Sequence, residues 1–325
     1  MPKAIVIRQT GGPEVMFYED IEVGTPAAGQ VLIEHAAIGV NFIDTYYRSG
    51  VYPWKDTYPI IVGAEGSGRV LAVGEGVEDF KVGDRVAYTT QHGAYCEQRL
   101  LPADRVVKLP DAIDDKVAAA AMLKGLTVQY LLFRTFKVKP NHSLLFHAAA
   151  GGVGLLAGQW ASHIGATIIG TVSTPEKAKL AQQNGYHHVI NYKEENFVER
   201  VKEITYGQGV DVVYDSVGKD TYPHSLQCLK RLGMWVCFGQ SSGVIENFDL
   251  RQLAQNGSLF ATRPSLFNYI YTKEELHDAA KQLFEALESN ILNVSINQQF
   301  PLKEARKAHE MLENRQTTGS TVLLP

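Results

Sequence analysis

Eleven consecutive residues constrain the fold of this chain more than any others: Leu144-Leu145-Phe146-His147-Ala148-Ala149-Ala150-Gly151-Gly152-Val153-Gly154. An apolar run with strand character passes through a string of small residues and opens into a helical segment. Small residues allow the backbone close approach to a pyrophosphate, and a helix N-terminus supplies N–H groups and positive potential. The familiar G-x-G-x-x-G pattern is modified, because Ala149 stands where its first glycine would be. Alone, such a loop also reads as an ordinary tight strand–helix turn, so its surroundings have to decide.

Those surroundings alternate. Strands are expected at 143–147, 167–172, 188–191, 210–215, 234–238 and 258–262. Between them, helices are expected at 153–163, 176–184, 196–205, 221–229 and 250–256. Pro175 stands at a helix start, and Gly165, Gly185 and Gly233 are read as helix ends. Strands alternating with helices indicate a doubly wound parallel sheet, which makes the phosphate-loop reading the stronger one.

The flanks have other patterns. Residues 1 to about 125 hold short β runs (4–8, 31–36, 68–73, 85–89) punctuated by Gly74-Glu75-Gly76 and Gly83-Asp84, which suggests a compact barrel or sandwich. One helix is expected to start at Asn41 or Phe42 and another to cover 114 to about 121. The tail carries helices at 272–289 and 302–314 and a strand at 321–324, and it has to pack outside the completed parallel sheet. The expected division is 1–126, 127–262 and 263–325, with the last segment returning to the first.

The second strand of the alternating region bears on which dinucleotide binds. NAD sites place Asp or Glu about 20 residues beyond the loop, on the ribose 2′-hydroxyl. Here the strand ends Gly170-Thr171-Val172-Ser173-Thr174 without a carboxylate. Glu176 follows Pro175 and is assigned to the next helix, whereas Lys177 is placed to neutralise a 2′-phosphate, with Ser173 or Thr174 as hydrogen-bond donors. NADPH is the expected cofactor.

Composition excludes several classes. With 31 basic and 35 acidic side chains, a net charge of −4 and no basic block, nucleic-acid binding is not expected. The three cysteines Cys96, Cys228 and Cys237 form no short pair, so a reducing compartment is expected. The N-terminus lacks the apolar core of a signal peptide, and His147, Gln159 and four glycines interrupt 144–161, making it a poor membrane span. The cytoplasm is the expected location. Cys96 reads as core, Asp215 as a turn-closing residue, and the pair His187-His188 as the entry to a strand.

Several stretches together resemble the zinc-independent quinone reductase and zeta-crystallin family of the medium-chain dehydrogenase/reductase superfamily. They are Gly11-Gly12-Pro13-Glu14-Val15, Asn41-Phe42-Ile43-Asp44-Thr45-Tyr46, Gly83-Asp84-Arg85-Val86, Leu123-Lys124-Gly125-Leu126-Thr127 and the phosphate loop. Val213-Tyr214-Asp215-Ser216-Val217-Gly218, Arg263-Pro264-Ser265-Leu266 and residues 308–325 extend the match over the whole length. The resemblance implies an α/β protein with a GroES-like β-barrel catalytic domain and a Rossmann domain, binding NADPH in the cleft between them. It implies Asn41, Phe42, Tyr46, Thr127 and Tyr130 around the nicotinamide, and Gly151, Gly152 and Val153 at the pyrophosphate. Ser173, Thr174, Lys177 and Tyr192 fall at the 2′-phosphate end. Ser216, Val217, Phe238, Gln240, Ser241, Ser265 and Arg315 complete the set.

The zinc-dependent branch of that superfamily needs a cysteine and a Gly-His-Glu segment. Here Asn41 stands near the first position and Gly63-Ala64-Glu65-Gly66 lacks the histidine, so no metal is expected. Without a Lewis acid, alcohol oxidation is disfavoured and quinones or activated alkenes suit hydride transfer better. Asn41, Tyr46, Tyr52 and Lys124 are the candidate catalytic residues, the tyrosines as proton donors or oxygen binders and the other two as charge stabilisers. The competing reading has Asn41 and Tyr46 only seating the nicotinamide and Tyr52 only packing. Alternatives at the level of function are reduction of enones or alkenals, and an NADPH-binding structural or RNA-binding protein. An apolar edge strand at 258–262 suggests a homodimer, which also forms commonly in the family.

Overall fold

A computed structural model describes residues 1–54 and 57–325. The chain divides into two compact units: residues 1–126, 269–289 and 294–325 in the first, and residues 127–268 and 290–293 in the second.

The first unit begins with β1 (Lys3–Ile7), β2 (Phe17–Asp20), β3 (Gln30–Val40), helix α1 (Phe42–Ser49), β4 (Ile60–Ile61), β5 (Glu65–Val73), β6 (Arg85–Thr89), β7 (Gln98–Pro102) and β8 (Val106–Lys108). Strands β3 and β5 run past the expected 31–36 and 68–73. They pair antiparallel along most of their length, with two register shifts that bend the ladder. The inward faces carry Val31, Ile33, Ile38, Val70, Val86 and Leu101, all at most 1% exposed. Such alternation is what a half-buried antiparallel sheet requires. Gly50 ends α1 in the left-handed region at φ 83°, a conformation a β-carbon would oppose. Helix α2 (Asp115–Tyr130) outruns the expected 114–121, because Ala118 to Met122 are buried outright and no residue interrupts it. It passes into a π-helical turn at Leu131–Thr135. Asp115–Thr135 is long and apolar enough to cross a membrane, and 78% of that apolar window is buried inside the protein, as in a core helix.

The second unit holds β9 (Ser143–Phe146), α3 (Gly152–Ile164), β10 (Thr167–Val172), α4 (Pro175–Gln183), β11 (His188–Asn191), α5 (Phe197–Ile204), β12 (Val210–Asp215), β13 (Leu229–Cys237), α6 (Arg251–Gln255), β14 (Phe260–Thr262) and α7 (Leu266–Tyr269), whose last residue falls in the first unit. All pairings are parallel, in the order β11-β10-β9-β12-β13-β14, the dinucleotide-binding order. Ile169, Ile190, Val201, Val210 and Val213 are sealed between the sheet and its helices. Pro175 opens α4 behind Thr174, whose hydroxyl accepts from the Lys177 N–H.

Two expectations fail here. The helix expected at 221–229 is only a 3-10 turn at His224–Cys228. Pro223 disfavours helical backbone at the residue before it, and the Thr221 and Ser225 hydroxyls are drawn to Asp215 instead. Gly233 is therefore not a helix end. It lies inside β13, just beyond Leu232 at φ 64°, where the pairing with β12 shifts register.

The tail forms α8 (Lys273–Glu288), β15 (Ile296–Pro301), α9 (Ala305–Glu313) and β16 (Ser320–Leu324). Strand β16 pairs antiparallel with β3, and β15 pairs parallel with β16. The expected helix at 302–314 begins as a 3-10 turn at Leu302–Glu304. A methyl group on Gly154 would lie 2.5 Å from the Ala148 carbonyl oxygen and 2.6 Å from that of Ala149, so α3 sits against the loop only because this residue has no side chain. Gly154→Ala is expected to lower unfolding free energy by about 1–3 kcal/mol, read from urea denaturation.

Candidate active site

The candidate residues fall into two clusters, one in each unit. In the first unit they gather around α1. Asn41 stands just before its first turn and donates its backbone N–H to Asp44 Oδ2 at 2.8 Å, while the Asp44 N–H returns to the Asn41 carbonyl at 3.1 Å. The Asn41 side chain donates through Nδ2 to Glu65 Oε1 at 2.8 Å. Lys124 Nζ donates to the same oxygen at 2.7 Å, and the Leu123 N–H takes Glu65 Oε2 at 2.6 Å. Both side chains of the ion pair are buried, Glu65 at 0% and Lys124 at 6% exposure. A carboxylate survives such burial only when donors converge on it, and three do. A β-carbon on Gly39 would meet Glu65 Oε1 at 2.3 Å, so the absence of a side chain there makes room for the carboxylate.

Phe42, Tyr46 and Tyr52 form a run of rings beside Asn41. The Phe42 and Tyr46 centroids lie 6.4 Å apart and those of Tyr46 and Tyr52 5.2 Å apart, and the Tyr52 N–H donates to the Tyr46 carbonyl. Tyr52 also packs edge-on against Tyr47 at 5.6 Å. Arg315 lies exposed just beyond α9, in the left-handed region at φ 60°.

Asp44, which sequence reasoning passed over, is fully buried and also receives the Tyr95 hydroxyl at 2.9 Å. That fixes a directional chain, because a hydroxyl proton given to Asp44 leaves Tyr95 accepting from His309 Nε2 at 2.9 Å. His309 Nδ1 then accepts from Arg48 at 2.9 Å, and Arg48 forks onto Glu313 at 2.7 and 3.0 Å. Burial, with the Arg48 charge beside it, pushes His309 down to about 3, so the ring is neutral. Burial drives the Asp44 carboxyl from 3.8 up to about 7, against the opposing pull of the Asn41 and Tyr95 hydrogen bonds. Its Oδ1 is buried and has no hydrogen-bond partner among the described residues. An N-x-x-D pattern at a helix start was the signal available for this residue.

In the second unit the loop between β9 and α3 turns tightly. Ala148 adopts φ 58°, the Ala149 N–H donates to the Thr171 carbonyl at 3.0 Å, and Gly151 precedes α3 in extended conformation. Gly152 and Val153 open the helix, where first-turn N–H groups have no intrahelical acceptor. Ser173 and Thr174 follow β10, Lys177 lies half-buried in the first turn of α4, and Tyr192 follows β11. Ser216 and Val217 leave β12, while Phe238, Gln240 and Ser241 leave β13. All of these follow the carboxyl ends of the parallel strands, where ligands of such sheets bind. Thr127 and Tyr130 are buried on the last turn of α2, and Ser265 is exposed before α7.

Comparison with known proteins decides the family. A family model described as "Alcohol dehydrogenase GroES-like domain" matches residues 27–111, and one described as "Zinc-binding dehydrogenase" matches residues 152–285. A quinone oxidoreductase of Salmonella typhimurium is 51% identical, with 100% of each chain covered. The chain belongs to the quinone oxidoreductase family of the medium-chain dehydrogenase/reductases. The family member from Escherichia coli, solved in complex with NADPH, superposes with a TM-score of 0.97 at 50% identity, covering 99% of this chain and 100% of that one. A second enzyme on the same scaffold, the 2-haloacrylate reductase of a Burkholderia species, is 48% identical and covers 100% of this chain and 99% of its own.

The residues of this family member do not fit the zinc of the second description. The Ala64 side chain offers no ligand atom, and the Asn41 amide NH₂ is committed to Glu65. Cys96, Cys228 and Cys237 are buried free thiols, pushed by burial up to about 12, 12 and 11. Among the described residues no group of three or more His, Cys, Asp or Glu is placed to hold a metal ion. Asp215 accepts the N–H groups of Val217 and Gly218, closing a turn.

Because Asp44 has a raised folded-state pKa, its contribution favours folding at low pH and is lost as pH rises through about 7. Asp44→Asn, which keeps the shape without the charge, is expected to remove that loss. Between pH 5 and 8 the variant should gain about 2 kcal/mol relative to wild type in denaturant titrations. Parallel pH profiles for the two proteins would contradict this.

Proposed function

We propose that this protein transfers a hydride from NADPH to quinones. The full-length identity to quinone oxidoreductases of known name carries the reading, and the carboxylate-free crest at Ser173 and Thr174 beside Lys177 supports the choice of cofactor. NADPH supplies the hydride when bound, and the protein binds, orients and excludes water. Gly151, Gly152 and Val153 hold the pyrophosphate through backbone N–H groups at the start of α3. Ser173, Thr174, Lys177 and Tyr192 hold the 2′-phosphate. Phe42, Thr127 and Tyr130 seat the nicotinamide end, with Ser216, Val217, Phe238, Gln240, Ser241, Ser265 and Arg315 completing the cofactor contacts.

Asn41 and Lys124 act as a pair. Glu65 engages the NH₂ of the Asn41 amide, which leaves its carbonyl oxygen to accept from a donor such as the nicotinamide carboxamide. The Lys124 ammonium stabilises negative charge growing on the acceptor oxygen as the hydride arrives. Tyr46 and Tyr52 bind that oxygen or pass a proton to it. Reduction of activated carbon–carbon double bonds is the second reading, favoured by the 48% identity to the 2-haloacrylate reductase.

Steady-state oxidation of NADPH and NADH with 1,4-benzoquinone, 9,10-phenanthrenequinone and 2-chloroacrylate separates these readings. NADPH preference with quinone turnover is expected, and Lys177→Ala should raise the NADPH KM by about tenfold or more, the loss of one charge-assisted phosphate contact. Turnover confined to the acrylate would replace the quinone.

We also propose a cytoplasmic homodimer, joined through β14. This strand ends the sheet path, and its Phe260 is 57% exposed, so pairing with a second copy would protect an otherwise open edge. Light scattering should give twice the chain mass, and Phe260→Asp should shift it toward monomer. A monomeric wild type at micromolar concentration would end the proposal.

A further inference from the structure

Beneath the carboxyl ends of the parallel strands lies a buried polar chain that the cofactor contacts above do not use. Asp215, at the end of β12, is fully buried. Its Oδ1 accepts the Val217 and Gly218 N–H groups at 2.9 and 3.1 Å, and the Thr221 hydroxyl lies 2.9 Å from Oδ1 and 2.8 Å from Oδ2. Oδ2 also takes the Ser225 hydroxyl at 3.0 Å and the Trp235 indole N–H at 3.2 Å.

A carboxylate only accepts, so the direction of each following bond is fixed. Ser225 gives its proton to Asp215 and its oxygen accepts from His147 Nε2 at 3.0 Å. His147 therefore carries its proton on Nε2, and Nδ1 accepts the Thr171 hydroxyl at 2.9 Å. The ring is fully enclosed, and burial lowers its pKa against the opposing pull of Asp215, which keeps it neutral as this chain of donors requires.

The route of the chain is what gives it meaning. It runs from β12 through Ser225 to the residue after β9, then to β10, and these three strands are neighbours in the sheet. The break in strand order falls between β9 and β12, and at such a break the loops part and leave the crevice in which dinucleotides bind. The three loops leaving these strands carry Gly152 and Val153, Ser173 with Lys177, and Ser216 with Val217. Each loop is thus anchored, directly or within two residues, to one hydrogen-bonded chain.

We propose that Asp215, Ser225, His147 and Thr171 are positioning residues that hold these three loops in register and so set the affinity for NADPH and its preference over NADH. The proposal rests on the NADPH-dependent reading above. Thr171 precedes Ser173 by two residues, so slack in the chain displaces the 2′-phosphate end first, and the loss falls mainly on NADPH.

Ser225→Ala removes the central hydroxyl at little cost in volume, Ser225→Thr keeps it, and Thr171→Val removes the terminal hydroxyl without changing shape. Dissociation constants for NADPH and NADH would be measured by nucleotide fluorescence, with steady-state kinetics and thermal melting on the same preparations. Ser225→Ala and Thr171→Val should each weaken NADPH by about tenfold and NADH by less than about threefold, with the KM for quinone nearly unchanged and Ser225→Thr close to wild type. An unchanged NADPH constant in both hydroxyl deletions would overturn the proposal. So would equal weakening of both nucleotides, since a merely structural loss does not distinguish them. Wild-type protein that binds no NADPH would instead overturn the functional reading on which the proposal depends.

Discussion

A carboxylate removed from water has to be met by donors aimed at it, and this requirement organises both units of the protein. Glu65, Asp44 and Asp215 are each fully buried. Glu65 draws in Asn41, Lys124 and the Leu123 N–H, and so ties β5 to α2 and to the start of α1. Asp44 draws in Tyr95 and the backbone of Asn41. Asp215 gathers two loop N–H groups, two hydroxyls and an indole. Glu65 and Asp44 each take a donor from a distant segment, Lys124 59 and Tyr95 51 residues away, so satisfying one carboxyl fixes separate chain segments at once. Removing Lys124 would leave the buried Glu65 carboxylate without its counter-charge.

Close packing also shapes the loop between β9 and α3. Gly154 allows α3 to sit against the carbonyls of Ala148 and Ala149, and a side chain there would force the helix away from the strand end. The first-turn N–H groups of α3 are thereby kept at the break in strand order, where an anionic group can reach them. His147, immediately before the turn, is locked by Thr171 and Ser225. Small residues permit the close approach, and the buried polar chain holds it in register.

The parallel sheet was readable from sequence because its signals are local. Strands at 167–172, 188–191 and 210–215 coincide with β10, β11 and β12, since each has a short apolar, β-branched centre bounded by turn residues. Thr272 and Ser289 flank α8 for a similarly local reason, as the Thr272 hydroxyl accepts the Glu275 N–H. Where a competing long-range partner existed, local reading failed. Residues 221–229 have helix-like spacing, yet Thr221 and Ser225 serve Asp215 and Pro223 disfavours helical backbone just before it. Strand β15 was not anticipated at all, because its half-exposed Ile-Asn-Gln-Gln-Phe-Pro carries little apolar signal and forms only by pairing with β16.

The doubly wound sheet and the tight small-residue turn into α3 were legible from residue order alone, since they depend on periodicity and on residue type at fixed spacing. Tertiary structure alone decided which polar side chains share a partner. Asn41 and Lys124 were legible as candidates, but their joint hold on Glu65, 24 and 59 residues away, was not. Nor was the link from Asp215 to His147, which crosses the sheet through Ser225. Hydrogen bonds between distant segments leave no period in a sequence. They exist only once burial has removed water as the alternative partner, and burial is a property of the packed fold.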